Sequence, residues 1–469
     1  MNALFAPHAL LPSGWARDVL LRWDATGALV EVSAGAACPP GTPRAAGPLV
    51  PALPNLHSHA FQRGFAGLTE FRGQAQDSFW SWRELMYRFA GRLTPESLEQ
   101  IATGLYVEML EAGYTQVCEF QYVHHQPDGR PYAHDAAMCQ AVLRAARTAG
   151  IGITLLPVLY QASGFGGQAP SQGQRRFIRS TASMLSLLEQ TLAEISRRKA
   201  DSTQNPSLER LGLAPHSLRA VTPQALAEAL AGLHALDASA PVHIHIAEQT
   251  KEVDDCLAWS GQRPVEWLLD HAPVDARWCL VHATHMSEAE YARAAASGAV
   301  AGLCPSTEAN LGDGVFDFVR WRCHGGRWGI GSDSHATVDA AEELLLLEYG
   351  QRLTRRQRNV GASAEQSDVA TALWLQAVAG GAQAAGAPIA GLAAGQRADF
   401  VVLDAAHPAL AGLPPEQSLA AHVFASSRSR AIDQVWVAGR CVVQAGRHAA
   451  RDDARASFAQ ARAGLLADA

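Results

Sequence analysis

The feature that most constrains this chain is an alternation. Between Pro51 and about Tyr349, short apolar strand cores recur with helix-like segments between them. The strand cores are the run before His57, then Thr115–Glu119, Gly152–Val158, Leu211–Ala214, Val242–Ile246, Trp278–Val281, Ala299–Cys304 and Trp328–Gly331. Helix starts are marked chemically. Thr94-Pro95 and Thr222-Pro223 each place a capping hydroxyl before a proline at the first helical position. Ser287-Glu-Ala-Glu290 reads as a capping box, and Gly298 closes that helix. Asp339 opens another, with Glu342 and Glu343 early and Arg352, Arg355, Arg356 and Arg358 late, matching the helix dipole. Eight such units over roughly 300 residues suit a (β/α)8 barrel, whose usual length is about 250 residues. A doubly wound open sheet is the structural alternative. No Gly-x-Gly-x-x-Gly turn follows any strand, so a dinucleotide site is not supported.

Both chain ends read differently. Val19–Trp23 and Ala28–Val32 flank Asp24-Ala-Thr-Gly27, a hairpin signal. After about residue 390, Gly395–Asp404 and Gln434–Val443 are strand-like, the second folding back at Ala438-Gly439. We therefore expect residues 1–50 plus 390–469 to form a small β-sandwich domain, with 51–389 as the α/β barrel.

Composition excludes some partners. A net charge of −7 argues against general nucleic-acid binding. No apolar run reaches the roughly 20 residues that span a bilayer, and the N-terminus lacks the pattern of a signal peptide. Eight scattered cysteines, without any Cys-x-x-Cys, read as reduced thiols of a soluble cytoplasmic protein.

Active sites of (β/α)8 barrels sit where strands end and loops begin. The first strand ends in His57-Ser-His59, two imidazoles on one face by alternation. The fifth ends His243-Ile-His245-Ile-Ala-Glu248, the sixth Val281-His282, and the eighth Gly331-Ser-Asp333. A lone strand-end histidine is commonly a hydrogen-bonded core residue. Several in order on one face are a plausible ligand set: His57, His59, His245 and Asp333 for one divalent ion such as Zn2+. Glu248, just past the strand, is placed to exchange protons with water on that ion. Its bland reading is a glutamate opening the next helix, as Glu252 equally is. His243, one layer deeper, supports the ligands or belongs to the core.

The ordered set His-x-His, His-x-x-Glu, His and Asp resembles the amidohydrolase superfamily. The fourth strand, Leu211-Gly-Leu-Ala-Pro-His-Ser217, offers no lysine to bridge two metals, which is similar to the mononuclear deaminase branch. Asn55–Arg63, Phe79-Trp-Ser-Trp-Arg83, Glu119-Phe-Gln-Tyr122, His216–Arg219 and His245-Ile-Ala-Glu-Gln249 together resemble the formimidoylglutamate deiminase family of histidine degradation. That resemblance spans nearly the whole chain. It implies hydrolysis of N-formimidoyl-L-glutamate to N-formyl-L-glutamate and ammonia. It further implies Glu248, His282 and Asp333 as catalytic, Gln62, Arg83, Tyr122, His216 and Arg219 as contacts to a small dianionic substrate, and a homodimer. Arg83 also reads as a helix-surface residue, Tyr122 as packing, and the Gln161–Gln174 stretch as lid or plain loop. Deamination of a nucleobase or nucleoside by the same machinery is the alternative activity, and an inactive scaffold the remaining one.

Overall fold

The computed structural model describes residues 2–70, 79–201, 208–426 and 429–467, with the backbone alone at Phe79–Ser81, Glu84 and Asp201. Its centre is a ring of eight parallel strands: β1 (Leu53–Ser58), β2 (Tyr114–Gln121), β3 (Gly152–Leu159), β4 (Glu209–Leu211, resumed at Ala214–Pro215), β5 (Val242–Ile246), β6 (Trp278–His282), β7 (Val300–Leu303) and β8 (Arg327–Ile330). β1 to β4 form one ladder and β5 to β8 another. Bridges Leu213–Val242 and Ser58–Asp333 join the two ladders at both seams. The sheet therefore closes, and the open doubly wound alternative is excluded. Strands covered on both sides carry apolar residues at nearly every position, and β1, β2, β3, β5 and β6 are buried throughout.

One expected strand is broken. β4 is interrupted at Gly212, where a side chain would not fit: a Cβ there would lie 2.5 Å from the Pro241 carbonyl oxygen. The backbone squeezes past, and Leu213 then bonds to the β5 side through Pro241 and His243.

The β domain expected from the two ends is one eight-stranded sheet. Leu49–Pro51 is an interior strand that joins the two ends, parallel to Asn2–Leu11 and antiparallel to Phe400–Leu403. Trp23, Leu49 and Phe400 fill its own core. At Ala438-Gly439 both residues have positive φ, as a tight two-residue hairpin requires. The patterning did not announce the helix Arg451–Leu466, which lies on the barrel helix Pro95–Glu111 with Phe458 over Gly104. No helix among the described residues is long and apolar enough to cross a membrane.

Helix Val369–Ala385 seals the barrel against β8 and β1. It approaches so closely that a Cβ on Gly380 would sit 1.9 Å from the Trp328 carbonyl oxygen. Gly380→Ala is expected to destabilise the fold by about 1–3 kcal/mol, the usual cost of overpacking. A urea-unfolding midpoint equal to that of wild type would contradict this packing.

Candidate active site

The bonds that close the barrel also assemble the site. Asp333 N donates to the His57 carbonyl (3.0 Å), and His59 N donates to the Asp333 carbonyl (3.2 Å). First and last strands are thereby held in register, with His57 and His59 facing Asp333. The Nε2 atoms of His57 and His59 stand 3.1 Å apart, and His245 Nε2 is 3.0 Å from His57 Nε2. Asp333 Oδ1 lies 3.3 Å from the Nε2 of both His57 and His59. All four side chains are buried.

This cluster fits a metal ion. Burial holds the three histidines neutral, with His57 pushed down to about 3. The Nδ1 of His59 meets the Phe120 carbonyl (3.0 Å), and that of His245 meets the His216 carbonyl (3.1 Å). Those carbonyl partners place the proton on Nδ1 and leave Nε2 as a bare lone pair. Burial alone would raise Asp333, but the hydrogen bond from His57 and the charge on His282 outweigh it and hold the carboxylate ionised. Converging lone pairs and a carboxylate repel one another unless a cation lies among them. Donors about 2.0–2.1 Å from a tetrahedral zinc stand roughly 3.3 Å apart, close to the spacing here.

Around the cluster the backbone is strained. Ala247, His282, Ala283, Asp333 and His335 all have positive φ without being glycine, a concentration typical of functional sites. The turn at Ala247 swings the Glu248 side chain onto the cleft wall it shares with His245, His282 and Asp333. Glu252 serves that turn instead, accepting from the backbone N–H of Ala247 (3.1 Å) and Glu248 (3.2 Å). The two candidate glutamates are thus told apart. Burial lifts Glu248 to about 7. Its neighbour His282 has Nε2 at 3.8 Å from Glu248 Oε1 and 3.8 Å from Asp333 Oδ2. Burial disfavours the charge on His282, but Glu248, the Glu308 hydrogen bond and Asp333 outweigh it and carry the imidazole up to about 10. His243 is a core residue, bonded through Nε2 to the Ala384 carbonyl (2.8 Å).

The remaining sequence candidates meet in the same cleft: Gln62, Arg83, Tyr122, His216 and Arg219 all line it. Gln62 Nε2 donates to the Tyr122 hydroxyl (2.9 Å). His216 bonds Ser217 through Nδ1 and is kept neutral by burial and then by Arg219 and Arg83. Arg83 rises from helix Phe79–Ala90. Trp82 of the same motif also lines the cleft, while the side chains of Phe79, Trp80 and Ser81 lie outside the described ones.

Sequence reasoning missed Glu308. It follows β7, in the first turn of helix Pro305–Leu311, where one Oε1 accepts from Cys304 N (2.9 Å) and from His282 Nδ1 (3.3 Å). A carboxylate on Nδ1 fixes the ring of His282 and favours its charged form. The available signal was an acidic residue just past a strand end, in Cys304-Pro-Ser-Thr-Glu308.

With the geometry in place, likeness to known proteins is decisive. The amidohydrolase family pattern matches residues 49–442, and that of the formimidoylglutamate deiminase HutF N-terminal domain matches residues 1–46. A formimidoylglutamate deiminase from Pseudomonas aeruginosa is 53% identical over 99% of this chain and 100% of its own. The chain belongs to the formimidoylglutamate deiminases of the amidohydrolase family. A crystal structure of an amidohydrolase from Brucella melitensis, 48% identical, superposes with a TM-score of 0.92 over 99% of this chain and 100% of that one. An adenosine deaminase from Xanthomonas campestris, solved with bound zinc, shares the fold at 19% identity (TM-score 0.76, covering 99% and 98%).

Proposed function

We propose that this site hydrolyses N-formimidoyl-L-glutamate to N-formyl-L-glutamate and ammonia, with one zinc ion held by His57, His59, His245 and Asp333. The activity is that of the 53%-identical relative, and three imidazoles with one carboxylate suit zinc. The observation that carries the substrate reading is Arg219. The residue is 8% exposed in the cleft, its Nε is buried without a partner, and its side chain makes no hydrogen bond or ion pair among the described residues; Glu248 and Glu252 reach it only through longer-range charge. A buried cation without a partner is costly, and a carboxylate of the substrate supplies one. Arg83, reaching the same cleft from helix Phe79–Ala90 after β1, serves the second carboxylate.

A zinc ion bound there would lower the pKa of water from about 15.7 to about 7 and so supply hydroxide at neutral pH. In the reaction a C–O bond forms at the formimidoyl carbon and the C–N bond to the terminal nitrogen breaks. Glu248 carries the proton from the attacking water to that nitrogen, which leaves as ammonia. His282, held by Glu308, polarises the reacting group. Asp333, besides holding the metal, is a further acceptor for a proton of the attacking water. Gln62, Tyr122 and His216 orient the chain between the two carboxylates. We assign catalysis to residues 51–389, supported by 1–50 and 390–469. The unpaired cysteines are compatible with the cytoplasm, and a homodimer is the assembly the family likeness suggests.

The deciding experiment is ammonia release from formimidoylglutamate against adenine, guanine and cytosine derivatives. Turnover of a nucleobase derivative in preference to formimidoylglutamate would overturn the reading. Arg219→Lys tests the contact itself. Lysine keeps the charge but not the planar fork that pairs with a carboxylate. The variant is expected to lose about 2–4 kcal/mol in kcat/KM, the range for a truncated buried charge pair. N-formimidoyl-4-aminobutyrate, lacking one carboxylate, should be a poor wild-type substrate. If Arg219 holds the carboxylate that is missing, the variant pays little further penalty on it. Undiminished discrimination in both arginine variants would show that neither arginine holds that carboxylate.

A further inference from the structure

The segment 161–174 is tied to both arginine-bearing walls of the cleft. At its start, the backbone N–H groups of Gln161 and Ala162 both donate to the Ala220 carbonyl, 2.8 and 3.0 Å away, one residue past Arg219. At its end, Gln174 is buried and bonded in two directions. Its Oε1 accepts from Ser171 N (2.7 Å), and its Nε2 donates to the Tyr160 hydroxyl (2.8 Å). That hydroxyl also accepts from Arg83 Nη2 at 3.3 Å, while Arg83 Nε donates to the Tyr87 hydroxyl. The Arg83 guanidinium lies 5.1 Å from the Tyr87 ring centre. Gly173 presses on that same ring, since a Cβ there would stand 3.0 Å from it. Tyr160 is itself fixed, 4% exposed, with its ring 4.5 Å from that of His216.

An arginine has several staggered side-chain torsions, and ordering it costs entropy each time a ligand is bound. Tyrosine hydroxyls that bond two of its nitrogens remove that cost in advance. We propose that the segment 161–174 sets the spacing between Arg83 and Arg219, with Gln174 and Tyr160 as positioning residues on the Arg83 side. The proposal rests on the reading that the two arginines hold the two carboxylates of the substrate. It makes the segment a gauge for dianionic ligands. Neither residue takes part in the proton transfers.

The test is steady-state kinetics of the metal-loaded enzyme. Tyr160→Phe removes one hydroxyl and keeps the ring. Gln174→Leu removes the donor and keeps the bulk. Tyr160→Phe is expected to raise KM for formimidoylglutamate about tenfold, the scale of a lost hydrogen bond to a charged group, and Gln174→Leu about three- to tenfold, the scale of a neutral one, with kcat changed by less than about twofold in each. KM for N-formimidoyl-4-aminobutyrate should rise less if the missing carboxylate is the one Arg83 holds; if Arg219 holds it, the rise should be equal. Placed on an Arg83→Lys background, Tyr160→Phe should add little, since both act through one guanidinium. Unchanged KM in both variants while Arg83→Lys raises it overturns the positioning role and leaves the arginine reading standing. Unchanged KM in Arg83→Lys as well removes that reading, and this proposal falls with it. A drop in kcat at constant KM overturns it too, because it would place these residues in the chemistry.

Discussion

His245→Ala is expected to bind little zinc and to release almost no ammonia from formimidoylglutamate. The imidazole supplies one of four donors that converge within 4.8 Å of one another, on the far seam from His57 and His59. Alanine leaves a hole and no donor. Residues that merely orient a metal ligand already account for about 10- to 100-fold in affinity or activity, and loss of the ligand itself should exceed that. His57→Ala, His59→Ala and Asp333→Ala should behave alike. The control is His324→Ala, an exposed residue paired with Glu288 well outside the cleft, which should keep both metal and turnover. His448→Ala is a less innocent control. That side chain is buried on the Ala149 carbonyl (3.0 Å), so stability should fall while metal content per folded molecule stays unchanged. Metal analysis after dialysis reads all of these. Full zinc content in His245→Ala would sink the ligand assignment.

The convergence of those four side chains was legible because alternation and strand ends are local properties. His57, His59, His245 and Asp333 could be placed on one face from spacing alone, since a strand repeats every two residues and a barrel puts all strand ends on one rim. What stayed hidden depends on contacts between distant segments. Glu308 finds His282 across 26 positions of sequence, and neither residue's own neighbours reveal the pairing. Glu248 and Glu252 are both acidic residues near a strand end. The positive φ at Ala247 and the backbone bonds taken up by Glu252 show which one turns into the cleft. Gly212 looks like any glycine in a strand until Pro241 is found against it. The helix Arg451–Leu466 lies beyond the last strand signal, and what orders it is packing on Pro95–Glu111.

Glu248→Gln separates holding the metal from moving the proton. The amide keeps the size and much of the hydrogen bonding of the carboxylate but carries no transferable proton. Because Glu248 is absent from the group of four converging ligands, the variant should retain zinc and bind substrate with near-wild-type affinity. Its kcat should fall at least about 10²-fold, the lower scale for a positioned acid–base group. A second effect runs in the same direction. Glu248 is the strongest of the charges that keep His282 protonated, so the amide also weakens the cation beside the reacting group. Glu248→Asp divides the two contributions. It restores the charge, and with it the support for His282, but withdraws the carboxylate by one methylene. If proton transfer dominates, Glu248→Asp remains strongly impaired; if support of His282 dominates, it recovers most of the loss. Loss of zinc in Glu248→Gln would instead make Glu248 a ligand, and the proton carrier would have to be sought in Asp333.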